Sequence, residues 1–252
     1  MSSLADTNKF EERKTTCPEC GGTLIEKYVP FLKKWIRDKC ECQKQREQKE
    51  EEQKKATEKL FKIQENKRES GIKPLYKNCT FDNYIADENT NNAKRLAQHY
   101  ADKYEDVSKE GKGLIFMGNT GSGKTHLAAA IANSLLEKGV KVIFISYSNL
   151  ILKINGANDY GATENKLVNK LQKCSLLVLD DIGITTSNEK SCAVLYSILD
   201  ERINNFRPTV ITSNIADLTE IKTKFNEQIY DRIKGNCYIV KIASPSYRNV
   251  SK

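Results

Sequence analysis

Five short apolar runs punctuate the second part of the chain: Leu114–Met117, Val140–Ile145, Leu176–Leu179, Thr209–Thr212 and Tyr238–Ile242. Between them, apolar positions recur at helical spacing over His126–Lys138, Ser148–Ile154, Glu164–Lys173, Glu189–Asn205 and Asp217–Ile233. Continuous apolar strands alternating with helices predict an α/β fold with a parallel sheet covered on both faces. Residues 75–252 are long enough for one such domain.

Upstream the pattern is different. Gln43 to Lys59 is almost wholly Glu, Lys, Gln and Arg, and Leu60, Phe61 and Ile63 follow. These are strong helix formers of mixed charge, so a helix is expected, polar nearly all round and bridging rather than packing. Gly71 and Pro74 punctuate its end. The expected organisation is therefore a cysteine-rich module over 1–42, a charged helical linker over 43–74 and the α/β domain over 75–252. Tyr28, Phe31, Leu32, Trp35 and Ile36 form an apolar-aromatic stretch within the first module. They include helical spacings, and a place in that module's core is favoured over a docking face.

Composition adds two constraints. No stretch approaches the roughly 18 to 20 continuous apolar residues of a membrane span, and Met1 to Glu12 is polar with no apolar signal region. A cytoplasmic location without membrane contact is expected. The chain carries 41 basic and 33 acidic residues, a net charge of +8. That excess favours contact with nucleic-acid phosphates, or reflects only a lysine-rich surface.

The candidate chemistry sits at strand ends. Gly118, Asn119, Thr120, Gly121, Ser122, Gly123, Lys124 and Thr125 match G-x-x-x-x-G-K-[ST] at every fixed position. A predicted strand precedes them and an Ala-rich helix signal, opening at His126, follows. Glycines let a backbone wrap phosphates with its N–H groups pointing inward, and the helix N-terminus adds its positive end. Lys124 is then expected to reach the β- and γ-phosphates of ATP, and the Thr125 hydroxyl to ligate Mg²⁺. Gly118 through His126 are the expected nucleotide contacts. Leu176 to Leu179 lead into Asp180 and Asp181. Asp180 is expected to hold Mg²⁺ through water and Asp181 to polarise the attacking water. Val210-Ile211-Thr212-Ser213 ends in Asn214, placed to orient water or touch the γ-phosphate.

Four of the eight cysteines cluster as Cys17-x2-Cys20-x19-Cys40-x-Cys42. Clustered thiols in a reducing compartment suggest metal rather than disulfides. Cys17-Pro18-Glu19-Cys20-Gly21-Gly22 has the form of a zinc knuckle, and the C-x-C pair supplies two more thiolates with an altered bite. A structural Zn²⁺ held by Cys17, Cys20, Cys40 and Cys42 is expected, with free thiols as the alternative. So small a module has little core of its own, and metal is the physical reason for it to be ordered.

The combination resembles the DnaC/IstB-like AAA+ ATPases, which include bacterial replicative helicase loaders. The resemblance runs from Cys79-Thr80-Phe81-Asp82-Asn83-Tyr84 onward. It is carried by Gly118 to Asn133, Asp180-Asp181-Ile182-Gly183, Arg207-Pro208-Thr209 leading into Thr212-Ser213-Asn214, and Ile229-Tyr230-Asp231-Arg232-Ile233. It implies an AAA+ P-loop domain that hydrolyses ATP as a homo-oligomer, with Asn214 as the sensor residue and Arg232 as the arginine finger reaching a neighbouring subunit's ATP. The implied partners are a hexameric replicative DNA helicase and single-stranded DNA. Asn149 to Lys173 occupies the place of a helix that faces single-stranded DNA in initiator-type members, so Lys153, Lys166 and Lys170 are candidate phosphate contacts. Ser246-Tyr247-Arg248 resembles a C-terminal family phrase without an assigned role. The alternative within the family is an IstB-like transposition helper that binds duplex DNA and a transposase.

Overall fold

The computed structural model describes residues 11–156, 162–183 and 188–244. The chain divides into two compact units, Met1–Leu60 and Phe61–Lys252. In the first, β1 (Glu12–Thr16), β2 (Thr23–Val29) and β3 (Lys34–Arg37) form an antiparallel sheet in sequence order. Helix α1 (Glu41–Glu69) starts in this unit and its last turns belong to the second.

The apolar-aromatic stretch departs from its expected core role. It is not helical: Pro30 opens a single 3-10 turn between β2 and β3, because proline fixes φ and has no N–H to give to the sheet. Phe31 at that turn is 93% exposed, and Leu32 and Ile36 are also exposed. Trp35 instead pairs across the sheet with Tyr28, ring centroids 5.4 Å apart. The Arg13 guanidinium covers the Trp35 ring at 4.3 Å while pairing with Glu26 at 2.6 Å.

In the second unit, α2 (Asn91–Asp102) and α3 (Tyr104–Glu110) precede a doubly covered sheet. Its strands are β4 (Gly113–Gly118), β5 (Val142–Ser146), β6 (Leu176–Ile182), β7 (Thr209–Ser213) and β8 (Cys237–Ile242). All neighbours pair in parallel, in the order β5-β6-β7-β4-β8. Helices α4 (Lys124–Glu137), α5 (Tyr147–Asn155), α6 (Ala162–Lys173) and α7 (Glu189–Asn204) connect them. Successive strand residues point to opposite faces. Leu114 and Phe116 thus enter one core with α2 and α4, while Ile115 and Met117 enter a second core with α5, α6 and α7. All five apolar runs are strands. The predicted helix over Asp217–Ile233 is two helices, α8 (Glu220–Lys224) and α9 (Glu227–Asn236). Asn226 separates them, its carboxamide oxygen accepting from Ile229 N at 2.9 Å as the cap of α9.

At the N-terminal ends of the strands lies a buried cation. Arg202 on α7 has no exposed surface. Its guanidinium donates to the carbonyls of Leu171 (2.7 Å), in the last turn of α6, and Cys174 (2.8 Å), just beyond it, to Pro208 O (2.6 Å) and to the Thr209 hydroxyl (3.0 Å). Helix ends leave carbonyls without intrahelical partners, and a planar fork of donors suits them. Burial pulls the Arg202 pKa below its usual value. Arg202→Met should therefore destabilise the protein by about 3 kcal/mol or more, because several buried carbonyls lose their donors together. Thermal unfolding checks this, and a Tm within about 3 °C of the parent would contradict it.

Candidate functional site

The phosphate-loop sequence occupies the turn from β4 into α4. Gly118 has φ +148, and a Cβ there would lie 2.1 Å from the Ile242 carbonyl on β8. Gly123 has φ +88, and its Cβ would lie 2.7 Å from the Tyr84 ring. Both positions therefore need glycine, one for a neighbouring strand and one for an aromatic wedge. The Lys124 ammonium is buried under the loop and donates to Gly118 O (2.9 Å) and Asn119 O (2.7 Å).

The strand ends bring the remaining groups to this loop. Asp180, buried near the end of β6, accepts hydrogen bonds on Oδ1 from the hydroxyls of Thr125 (2.9 Å) and Thr212 (2.7 Å). One carboxylate thus ties the first turn of α4 to β6 and β7. Burial raises the Asp180 pKa, the Thr212 hydrogen bond opposes that, and the Asp181 charge adds to it. Asp181 has φ +58, at a shift of register between β6 and β7. Its N–H donates to the Thr212 hydroxyl at 2.8 Å. Aspartate is one of the few residues besides glycine that takes left-handed backbone; here the bulge turns the Asp181 side chain into the cleft that Lys124 and Thr125 line.

That cleft, of about 510 Å³, is lined by Thr120, Gly121, Gly123, Lys124, Thr125, His126, Asp181 and Asn214, together with Leu75 and Tyr76. Most candidate nucleotide contacts therefore converge. His126 is anchored: its Nε2 lies 3.0 Å from both Thr80 O and Asn83 Oδ1. Asn83 Oδ1 also accepts from Thr80 N, at 2.8 Å, so both neighbours of Nε2 are acceptors and Nε2 carries the proton. Arg232 is not among the cleft residues. It pairs with Asp200 at 2.6 Å and donates to the Tyr196 hydroxyl at 3.1 Å, on the surface between α7 and α9. Lys170 pairs with Glu69 at 3.1 Å. Part of the Asn149–Lys173 segment, and Ser246-Tyr247-Arg248, lie outside the described residues.

Periodicity did not point to Leu75, Tyr76 or Tyr84. Leu75 and Tyr76 sit in a single 3-10 turn (Pro74–Tyr76) and Tyr84 in irregular backbone, stretches too short or aperiodic for hydrophobic spacing to mark. Tyr84 was visible only as the last letter of the Cys79-to-Tyr84 phrase.

In the first unit the four cysteine sulfurs lie within 4.8 Å of one another. Cys17 and Cys42 Sγ are 3.6 Å apart and Cys20 and Cys40 Sγ 3.3 Å. Tetrahedral zinc with bonds of about 2.3 Å separates its sulfurs by about 3.8 Å, so the set fits that ion. The turn before β2 presents Cys17 and Cys20; Cys40 and Cys42 flank the start of α1, which explains the tighter C-x-C bite. Backbone N–H groups of Cys20 and Glu19 lower the Cys17 pKa to about 6, whereas Cys40 and burial push Cys42 up. For Mg²⁺, the Thr125 hydroxyl and Asp180 carboxylate offer the hard oxygen donors that ion takes.

The family model described as IstB-like ATP binding protein matches residues 51–252. The replicative helicase loader DnaC of Escherichia coli K12 is 33% identical over 192 residues, 75% of this chain and 77% of that protein. Escherichia coli YdaV is 34% identical over 168 residues, 66% of each chain. Among solved structures, the DnaC helicase loader superposes with TM-score 0.62 at 26% identity, over 68% of this chain and 99% of that one. DnaI does so with TM-score 0.62 at 25% identity, over 72% and 98%. DnaA of Aquifex aeolicus bound to AMPPCP shares the fold, with TM-score 0.59 at 21% identity, over 70% and 53%.

Two outcomes follow from the site. Hydroxyl donors favour the ionised form of Asp180, so Thr212→Val should raise its pKa further. If that ionised form supports turnover, the acid limb of the pH–rate profile should move to higher pH; an unmoved limb counts against the contact. Metal analysis of the full chain should give about one zinc per chain, and Cys40→Ser should reduce it. Metal-free wild-type protein with an ordered N-terminal sheet would count against the zinc assignment.

Proposed function

This chain belongs to the family of IstB-like ATP-binding proteins and is a P-loop ATPase, and from that premise we propose that it loads a hexameric replicative DNA helicase onto single-stranded DNA in the cytoplasm. The observation that carries the proposal is the shared length with the DnaC loaders, which extends well beyond the phosphate loop. The absence of any helix long and apolar enough to cross a membrane among the described residues is compatible with that location.

In this reading ATP binds in the cleft above β4. The loop's N–H groups and Lys124 hold its phosphates, and closing on ATP requires the Lys124 ammonium to exchange the Gly118 and Asn119 carbonyls for phosphate oxygens. Thr125 and, through water, Asp180 would hold Mg²⁺, which neutralises phosphate charge when bound. Asp181 accepts a hydrogen bond from the attacking water, and Asn214 orients it. Water attacks the γ-phosphorus, the bond to the bridging oxygen breaks, and ADP and phosphate leave. Arg232 acts in trans within a homo-oligomer. Its position outside the cleft of its own subunit supports that role, as does Asp200, which holds the guanidinium ready. The first unit, with zinc on its four cysteines, is the candidate partner-binding module.

The family model's own description keeps a second reading in play, a transposition helper acting on duplex DNA. Native mass spectrometry with the replicative helicase of the same host, in ATP and in ADP, separates the two. A nucleotide-sensitive complex of defined stoichiometry supports the loader. No complex, with both proteins folded and the helicase hexameric, sinks it. Turnover should vanish in Lys124→Ala, and mixing that variant with Arg232→Ala should restore part of it through mixed interfaces. Two folded, mixing variants without any rescue would exclude action in trans.

A further inference from the structure

A second cleft, of about 740 Å³, opens at the opposite end of the sheet from the phosphate loop. Its walls include Lys141, Ser175 and Pro208, the residues that immediately precede β5, β6 and β7. The seven residues of β6 put it about 20 Å from the ATP cleft. Four cations line it: Lys62, Lys141, Lys173 and Arg207. The three lysines form no ion pair among the described residues, unlike Lys67, Lys138 and Lys170 nearby, which pair with Glu137, Asp102 and Glu69. Two carboxylates, Glu65 and Glu105, also line the cleft. Beneath it sits Arg202, whose charge is answered by carbonyls and hydroxyl rather than by a carboxylate. Five positive and two negative groups leave the cleft itself net positive.

Phe206 supplies a second, independent observation. It follows α7 by two residues, its φ is +51, and its ring is 62% exposed at the cleft. Helices that end in left-handed backbone usually put glycine or asparagine there, because a Cβ is penalised. The conformation is enforced. Phe206 N donates to Ile203 O (3.1 Å) and Arg207 N to Arg202 O (2.8 Å), while Gly111 packs so closely that its Cβ would lie 2.8 Å from the Phe206 Cα. A large apolar ring held in a disfavoured backbone and left mostly exposed among cations gains little burial from the fold. The Tyr104 hydroxyl in the same wall makes no hydrogen bond among the described residues.

We propose that this cleft binds single-stranded nucleic acid, with an unpaired base stacked on Phe206 and the flanking phosphates held by Lys62, Lys141, Lys173 and Arg207. An aromatic face beside lysines is the chemistry that unpaired strands require, since every base has a π-face and every linkage a charge. A duplex offers phosphates but no free base face, so the ring selects strands over duplex. The site is independent of ATP hydrolysis and of the identity of any protein partner.

The test is fluorescence anisotropy on the full chain with a 20-nucleotide dT strand, a U strand and a duplex, in Mg²⁺ without nucleotide. The variant Phe206→Gly removes the ring and relieves the backbone, so its Tm should equal or exceed the parent's. It should bind strands about tenfold more weakly and leave the weaker duplex binding unchanged. Lys141→Gln with Lys173→Gln should flatten the log–log salt slope of strand binding by about 1.4. ATP turnover without nucleic acid should be unchanged in both, which separates this site from the nucleotide cleft. The dT and U arms tell whether the strand is DNA or RNA. Equal strand affinity of the parent and Phe206→Gly, an equal loss for duplex, or no strand binding by the parent at low salt would each overturn the proposal.

Discussion

The Asp180 carboxylate is the point on which the second unit's chemistry depends. It is buried, and a buried charge is tolerated only where donors are aimed at it. Here the donors are Thr125 and Thr212, one on the helix that follows the phosphate loop and one on the strand between the loop's strand and Asp180's own. The same Thr212 hydroxyl accepts the N–H of Asp181 and so fixes the bulge that turns the second carboxylate toward the cleft. Loop, helix and two strands are thereby held in one relative position by a single hydrogen-bonded cluster. A shift of any of them breaks a contact to Asp180.

The sheet then separates two electrostatic tasks. At the C-terminal ends of its strands, glycines and backbone N–H groups make a small basin with one buried ammonium. At the N-terminal ends, cations on longer side chains surround a wider cleft, over an arginine whose donors are occupied by backbone. Each end uses charge differently, one by enclosing it and the other by displaying it.

The sheet and the phosphate loop were legible in the sequence because both are local. Apolar runs of four to six residues mark buried parallel strands, and the loop's glycines mark backbone that only glycine adopts. Asp180, Asp181 and Asn214 could be placed because strand ends in such a sheet share one edge. What remained hidden was non-local or aperiodic. Asn226 breaks a run of helical spacing by capping the helix that follows it. Leu75 and Tyr76 reach the cleft from a single 3-10 turn, Tyr84 packs against Gly123 from irregular chain, and nothing in their spacing marks them. The aromatic stretch from Tyr28 to Trp35 misled for a related reason: Pro30 converts a helix-like spacing into two strands and a turn. The four cysteines were readable as a set because chelation needs few residues and little core.

The close approach of Gly118 to Ile242 has a consequence for how the protein is made. The phosphate loop hangs from β4, whose outer edge is covered, among the described residues, by β8. Those two residues are separated by 124 positions along the chain (242 minus 118). At about 5 to 20 residues per second, a ribosome takes roughly 6 to 25 s to travel between them. Throughout that interval the loop-bearing strand has a bare edge on which other extended chains can pair. The finished nucleotide basin is thus a late product of translation, and the nascent protein passes through a period in which its most conspicuous motif is present in the chain while the strand that completes its wall is not.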